Sequence, residues 1–200
     1  MHPWRERLTR WFTPLARRNP LSPNAITTIA LILNLVAAWF LYTRHFLVGM
    51  VFIGIAGLAD AFDGIVARVQ NKSTRFGDFL DHFFDRVSDA AIAVTWMIGS
   101  SVRLELIAIG MIVVMLNGYV GTQIEASFGR RSYEGLGRGE FVLALMVFPI
   151  VSTILVQHMM LTTLFAGLTI PEWLTIALTA VALLGIVQRM ARAARLDEPR

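Results

Sequence analysis

Between residues 60 and 85 the chain places four carboxylates at helical spacing among apolar residues. Asp60 and Asp63 are followed by Gly64, Ala67 and Arg68; eight residues later Gly77 leads into Asp81, His82 and Asp85. Ionisable groups within a membrane span cost about 3 kcal/mol each on insertion scales, so their presence points to function. Carboxylates this close cannot all stay ionised without cations. Two divalent ions would supply the matching charge, and an all-oxygen ligand set suits Mg2+ or Mn2+. The neighbours suit phosphate: Gly64 and Gly77 let a ligand approach the backbone, and Arg68, one turn beyond Gly64, can fork onto phosphate. Lys72 and Thr74 lie in the intervening loop. Simple ion pairing between helices is a poor alternative. Arg68 and Arg86 are too few for Asp60, Asp63, Asp78, Asp81, Asp85 and Asp89.

The elements that must position these groups are membrane helices. Of the 200 residues, 56% are hydrophobic, and mean hydropathy is +0.60; soluble domains average about 45–50% apolar residues. A single membrane domain is the natural class. The chain has no cysteine, which excludes disulfides and thiolate metal sites. The net charge of +4 comes from arginines flanking apolar runs, so anionic lipid explains it better than nucleic acid. The apolar run from about Ala25 is longer than a signal-peptide core and ends in no small-x-small cleavage site, so it reads as a retained first span.

Six spans fit, at about 24–42, 46–69, 76–99, 104–127, 141–165 and 171–190, each near the ~20 residues a bilayer core needs. The expected fold is an all-α integral membrane protein. Six transmembrane helices in a domain of residues 21–200 follow an amphipathic interfacial helix within residues 1–20. There Trp4, Leu8, Trp11, Phe12 and Leu15 recur at helical spacing. Nearly all Lys and Arg fall on one side of these spans, Arg44 and Arg103 on the other. That bias puts both termini and the carboxylate cluster on the cytoplasmic side; the expected location is the cell (inner) membrane. Both carboxylate pairs then lie in the cytoplasmic half, roughly 8–14 Å from their helix ends. Each pair occupies one helix face. Trp96 and Trp173 suit an aromatic belt at the outer side, with His158 interfacial. Gly54, Gly57, Gly110, Gly118 and Gly121 suit close helix packing.

The segment Asp60 to Asp85 resembles, without gap or mismatch, the D-x2-D-G-x2-A-R-x8-G-x3-D-x3-D signature of the CDP-alcohol phosphotransferases. Pro23-Asn24, Asn34 and the six spans extend the resemblance along the chain. It implies a homodimeric membrane enzyme of phospholipid synthesis. It also implies that Asp60, Asp63, Asp81 and Asp85 share two metal ions over the CDP pyrophosphate. The nucleotide site on this basis comprises Asp60, Asp63, Gly64, Ala67, Arg68, Thr74, Gly77 and Asp81. The reaction the resemblance implies is attack of an acceptor hydroxyl on the β-phosphoryl group of a CDP-linked alcohol, with CMP leaving. Asp85 and His82 are the two candidates for the base.

Substrate is less directly written. Asp81-His82-x-x-Asp85 resembles the DHxxD of choline and ethanolamine phosphotransferases, and Gly137 to Glu140 has the spacing of their G-x-x-E element. Glu125 and Glu140 could line a cationic head-group pocket. Phosphatidylinositol-phosphate synthases resemble the chain from Glu125 to Glu140, yet Gly121, Gln123 and Phe141 stand where their pocket cations are expected. Arg138 and Arg189 remain as anion contacts. The expectation therefore leans to CDP-choline or CDP-ethanolamine with diacylglycerol. The alternative is CDP-diacylglycerol with a polar alcohol: inositol phosphate, glycerol phosphate or serine. A divalent-cation transporter is the reading from another class. It fits poorly, because polar groups stop halfway along spans 2 and 3 and Gly64, Arg68 and Gly77 would be unexplained.

Overall fold

The computed structural model describes residues 12–128 and 138–196, the side chains of 138–140, 142 and 196 excepted. Trp4, Leu8 and Trp11, and with them most of the expected interfacial helix, lie outside these residues. A helical stretch over 12–18 (α1) precedes six long helices: α2 (Pro23–Tyr42), α3 (Phe46–Val69), α4 (Arg75–Gly99), α5 (Leu104–Phe128), α6 (Arg138–Gln157) and α7 (Ile170–Leu196).

Helix starts follow from local chemistry. The Ser22 hydroxyl accepts the Ala25 N–H at 3.2 Å, and Pro23, with no N–H to leave unpaired, opens α2. Thr74 caps α4 in the same way, accepting the Gly77 N–H at 3.0 Å. Three tight turns follow α2, α3 and α4. Each turns its corner with a residue in the left-handed region, Arg44 (φ 67°), Asn71 (φ 52°) and Ser101 (φ 60°), a common way to stop a helix. Consecutive helices from α2 to α5 therefore run antiparallel.

The larger apolar core lies mainly away from the aspartates, with a smaller cluster of Ala16, Ile26, Ile65 and Val66 at their end. Leu41, Phe46, Ala93, Trp96 and Met97 are buried in the larger one. Trp96 thus belongs to the core and not to an aromatic belt. Its ring packs on Phe148, and its Nε1–H donates to Ser152 Oγ at 3.0 Å, which pairs with Ser100. Trp173 is partly exposed and donates to the Phe165 carbonyl. The outer faces are apolar: Trp39, Ile112 and Leu143 are more than half exposed, as contact with lipid tails favours. Thr28, Thr95, Thr153, Thr175 and Thr179 return their hydroxyls to carbonyls four residues back, which hides their polarity. Among the described residues four helices, α2, α3, α5 and α7, are long and apolar enough to cross a membrane. α4 is as long but carries the charges, and the apolar part of α6 is a shorter Leu143–Gln157.

Two boundaries differ from the sequence reading. The fifth helix stops at Gln157, and Leu164–Phe165 (β1) pairs antiparallel with Leu168–Thr169 (β2). Ala166 and Gly167 between them both have positive φ, 52° and 81°, the signature of a tight hairpin turn. Apolar residues that look like the end of a span therefore form a hairpin, so the chain is not purely helical. The last helix continues to Leu196, because its Ala- and Arg-rich end is made of strong helix formers.

Candidate active site

α3 and α4 run antiparallel from the turn at 70–74 and both pack on α2, so residues equally far from the turn lie at the same depth. At 1.5 Å per residue, Asp63 and Asp81 each lie roughly 9 Å from their helix ends, and Asp60 and Asp85 roughly 14–15 Å. The structure brings these carboxylates together. One ligand atom from each of Asp60, Asp63 and Asp81 lies within 4.8 Å of the others, and the same holds for Asp81, His82 and Asp85. Asp81 belongs to both groups.

Asp63 is the test of what the site holds. It is 7% exposed, and its Oδ2 is buried without a hydrogen-bond partner. Asp60 and Asp81 face it, with the Thr27 hydroxyl and the Gly64 N–H beside it. A buried carboxylate oxygen among two more carboxylates is costly unless a cation compensates. The residues fit divalent metal with oxygen ligands, and two groups joined by one carboxylate fit a pair of ions.

The glycines differ in their work. Beside Gly64 there is open space, the nearest atom to a Cβ position being Arg68 Nη2 at 4.0 Å. Arg68 is exposed and anchors Nε on the Gly64 carbonyl at 2.9 Å. That leaves an approach to backbone flanked by a guanidinium. Gly77, by contrast, is packed: a Cβ there would stand 3.0 Å from Asn24 Oδ1 and 3.1 Å from Thr74 Oγ1. Thr74 uses its hydroxyl as the helix cap. Ala67 is half-buried beside Arg68. Over the same end, Phe12 packs on Phe62 at 5.7 Å, and Gln70 Nε2 donates to the carbonyls of Ala16 and Asn19 at 2.8 and 3.0 Å. α1 is thereby fastened beside the site, with Leu15 turned outward.

Acceptor candidates divide. Glu125 is half-buried on α5, while Arg138 and Glu140 open α6 with side chains outside the described residues. Arg189 reaches from α7 onto Gly121 of α5, where its Nη1 fills the place of a Cβ. Gly121 is therefore not a lost cation; it is the recess that admits one from another helix. Sequence reading also leaves Arg86 unassigned, yet it lies on Gly118 in the same manner, its Nη1 2.6 Å from the Cβ position. Gly110 meets Thr179 Oγ1 at 3.0 Å, but Gly54 and Gly57 face no neighbour within 4 Å, so those two do not serve packing among the described residues.

A family model described as CDP-alcohol phosphatidyltransferase matches residues 20–184. The archaetidylinositol phosphate synthase of Pyrococcus horikoshii is 28% identical over 128 residues, covering 64% of this chain and 68% of that one. The phosphatidylinositol phosphate synthase of Mycobacteroides abscessus is 33% identical over 142 residues, covering 66% and 64%. Matches span from about a third to about two thirds of the length of the first curated relatives. Among solved structures, the phosphatidylinositol phosphate synthase of Mycobacterium tuberculosis with manganese and citrate gives a TM-score of 0.71 at 23% identity, over 94% of this chain and 93% of that one. The same enzyme with CDP-DAG bound gives 0.69. At that identity the likeness speaks for the fold.

Proposed function

The chain belongs to the CDP-alcohol phosphatidyltransferase family, and from that premise we propose that it transfers a phosphatidyl group from CDP-diacylglycerol to a phosphorylated polar alcohol of the inositol phosphate class, releasing CMP. The observation that carries this reading is the pair of carboxylate groups joined at Asp81, with the unpartnered Asp63 oxygen buried inside. The lean toward a choline or ethanolamine donor gives way here. Relatives named for inositol phosphate chemistry favour a lipid donor. Arg189 supports an anionic acceptor, since an ammonium head group would be repelled by it.

Asp60, Asp63, Asp81 and Asp85 would hold two divalent ions, Mg2+ or Mn2+, which when bound would supply positive charge to offset that of the pyrophosphate and of the leaving CMP. Gly64 offers open backbone to the nucleotide, and Arg68 flanks it with a phosphate-binding fork. Asp85, at the deep end of the motif, accepts the proton of the acceptor hydroxyl. That oxygen forms a new bond to the β-phosphorus as the bond from β-phosphorus to the CMP oxygen breaks. The product is a phosphodiester, and CMP leaves with the bonding pair. On this reading residues 21–200 form one catalytic domain of six membrane-crossing helices, working as a homodimer with its site toward the cytoplasm.

The test is CMP release by purified protein with Mg2+. CDP-diacylglycerol is paired with inositol phosphate, glycerol phosphate, inositol or serine, against CDP-choline or CDP-ethanolamine with diacylglycerol. Release with CDP-diacylglycerol and a phosphorylated acceptor is expected. Release only with the amino-alcohol donors would overturn the substrate assignment, and none with any pair would overturn the activity.

A further inference from the structure

Two guanidinium groups from different helices meet one face of α5. Arg86 comes from α4, immediately after Asp85, and lies on Gly118; Arg189 comes from α7 and lies on Gly121. Positions three apart on a helix have their Cβ sites roughly 5–6 Å apart, so the two recesses are adjacent. Two guanidiniums brought this close repel in part, Asp89 offsetting some of the charge on Arg86. A phosphate accepting hydrogen bonds from both reverses the sign, because each fork makes charge-assisted bonds.

Arg86 is equipped for such a ligand. Its side chain is 36% exposed, and its ion pair with the buried Asp89, the one it makes among the described residues, is 3.6 Å long, beyond hydrogen-bond distance. Asp89 thus restrains the guanidinium without saturating its donors. Depth agrees as well. Arg86 lies roughly 16 Å from the start of α4 and Gly118 roughly 15 Å from the end of α5, level with Asp85. An anion held there keeps its attached alcohol within reach of the proton-accepting carboxylate.

We propose that Arg86, seated in the recess of Gly118, forms with Arg189 a two-arginine clamp for the phosphate of the acceptor alcohol. This rests on the reading of the acceptor as phosphorylated and names Arg86 as the residue that selects for it. Gly118 and Gly121 are then positions where any side chain would evict a clamp member.

The experiment compares wild type, Arg86→Gln, Arg86→Lys, Gly118→Ala and Arg189→Gln by CMP release with Mg2+, CDP-diacylglycerol and inositol phosphate. KM is measured for donor and acceptor separately. Arg86→Gln should raise the acceptor KM about tenfold or more, the scale of one lost charge-assisted hydrogen bond, with the donor KM within about twofold of wild type. Gly118→Ala should do the same by displacing the guanidinium, and it carries the test alone if Arg86→Gln fails to fold. Arg86→Lys should recover part of the loss. An unchanged acceptor KM in both Arg86→Gln and Gly118→Ala, with Arg189→Gln impaired, would overturn the role of Arg86 while leaving the acceptor class intact. Wild type that turns over only unphosphorylated alcohols would overturn both.

Discussion

At the scale of single residues, the two base candidates separate by surroundings. Asp85 is partly buried and His82 exposed, although both contribute to one group of ligand atoms. On the proposed function Asp85 would both take the acceptor proton and complete the metal ligand set, which should make it indispensable, whereas the exposed imidazole beside it would be a helper. Asp85→Asn should therefore cut kcat by about 10³ or more, at the upper end of what one general base contributes, with expression unchanged. His82→Asn should stay within about tenfold of wild type. Stopped CMP release in His82→Asn with activity kept in Asp85→Asn would transfer the proton to the histidine.

At the scale of elements, the first turn of α4 is the hinge on which the site depends. Thr74 satisfies the Gly77 N–H, and Gly77 allows Asn24 of α2 to close over that turn. Asp81 stands one turn further along. Thr74→Ala should cost about 1 kcal/mol, the usual value of an N-cap, read as a lower Tm in detergent, and it should raise the donor KM if the turn lies, as proposed, beneath the nucleotide. Thr74→Ser, which keeps the hydroxyl, should restore both. Recovery of neither would mean that the threonine methyl, not the cap, matters.

At the scale of the whole molecule, the two ends of the bundle do different work. The end opposite the aspartates is locked by Glu172, 3% exposed, which accepts from the Thr169 N–H at 2.8 Å and from Arg103 Nε at 2.7 Å. Arg44 adds a bond to Ser101 Oγ at 2.9 Å, joining two turns. The hairpin, α7 and the turn before α5 are thereby tied together, far from the chemistry. Glu172→Ala should cost about 2–3 kcal/mol, the worth of a lost hydrogen bond to a charged group with the buried donor it leaves unpaired. The loss should appear as a lower Tm, with kcat at low temperature unchanged. A collapse of kcat without a fall in Tm would show that the ends are coupled and not separate.

Sequence alone determined the features whose causes are local. The spacing of Asp60, Asp63, Asp81 and Asp85 sets which helix faces they share, because 3.6 residues make a turn whatever the surroundings. The starts of α2 and α4 are just as local, since the caps Ser22 and Thr74, seen in the structure, act only on the next three residues. Features that depend on which distant faces meet were not legible. Trp96 is core because that face of α4 turns toward α6. Leu164–Phe165 forms a hairpin because Ala166 and Gly167 reverse the chain. Most telling are Gly118 and Gly121: the sequence marks them as small residues suited to close helix packing, and the structure shows that Arg86 from α4 and Arg189 from α7 use their room. A missing side chain is visible in a sequence; the neighbour that uses its room is decided only by tertiary packing.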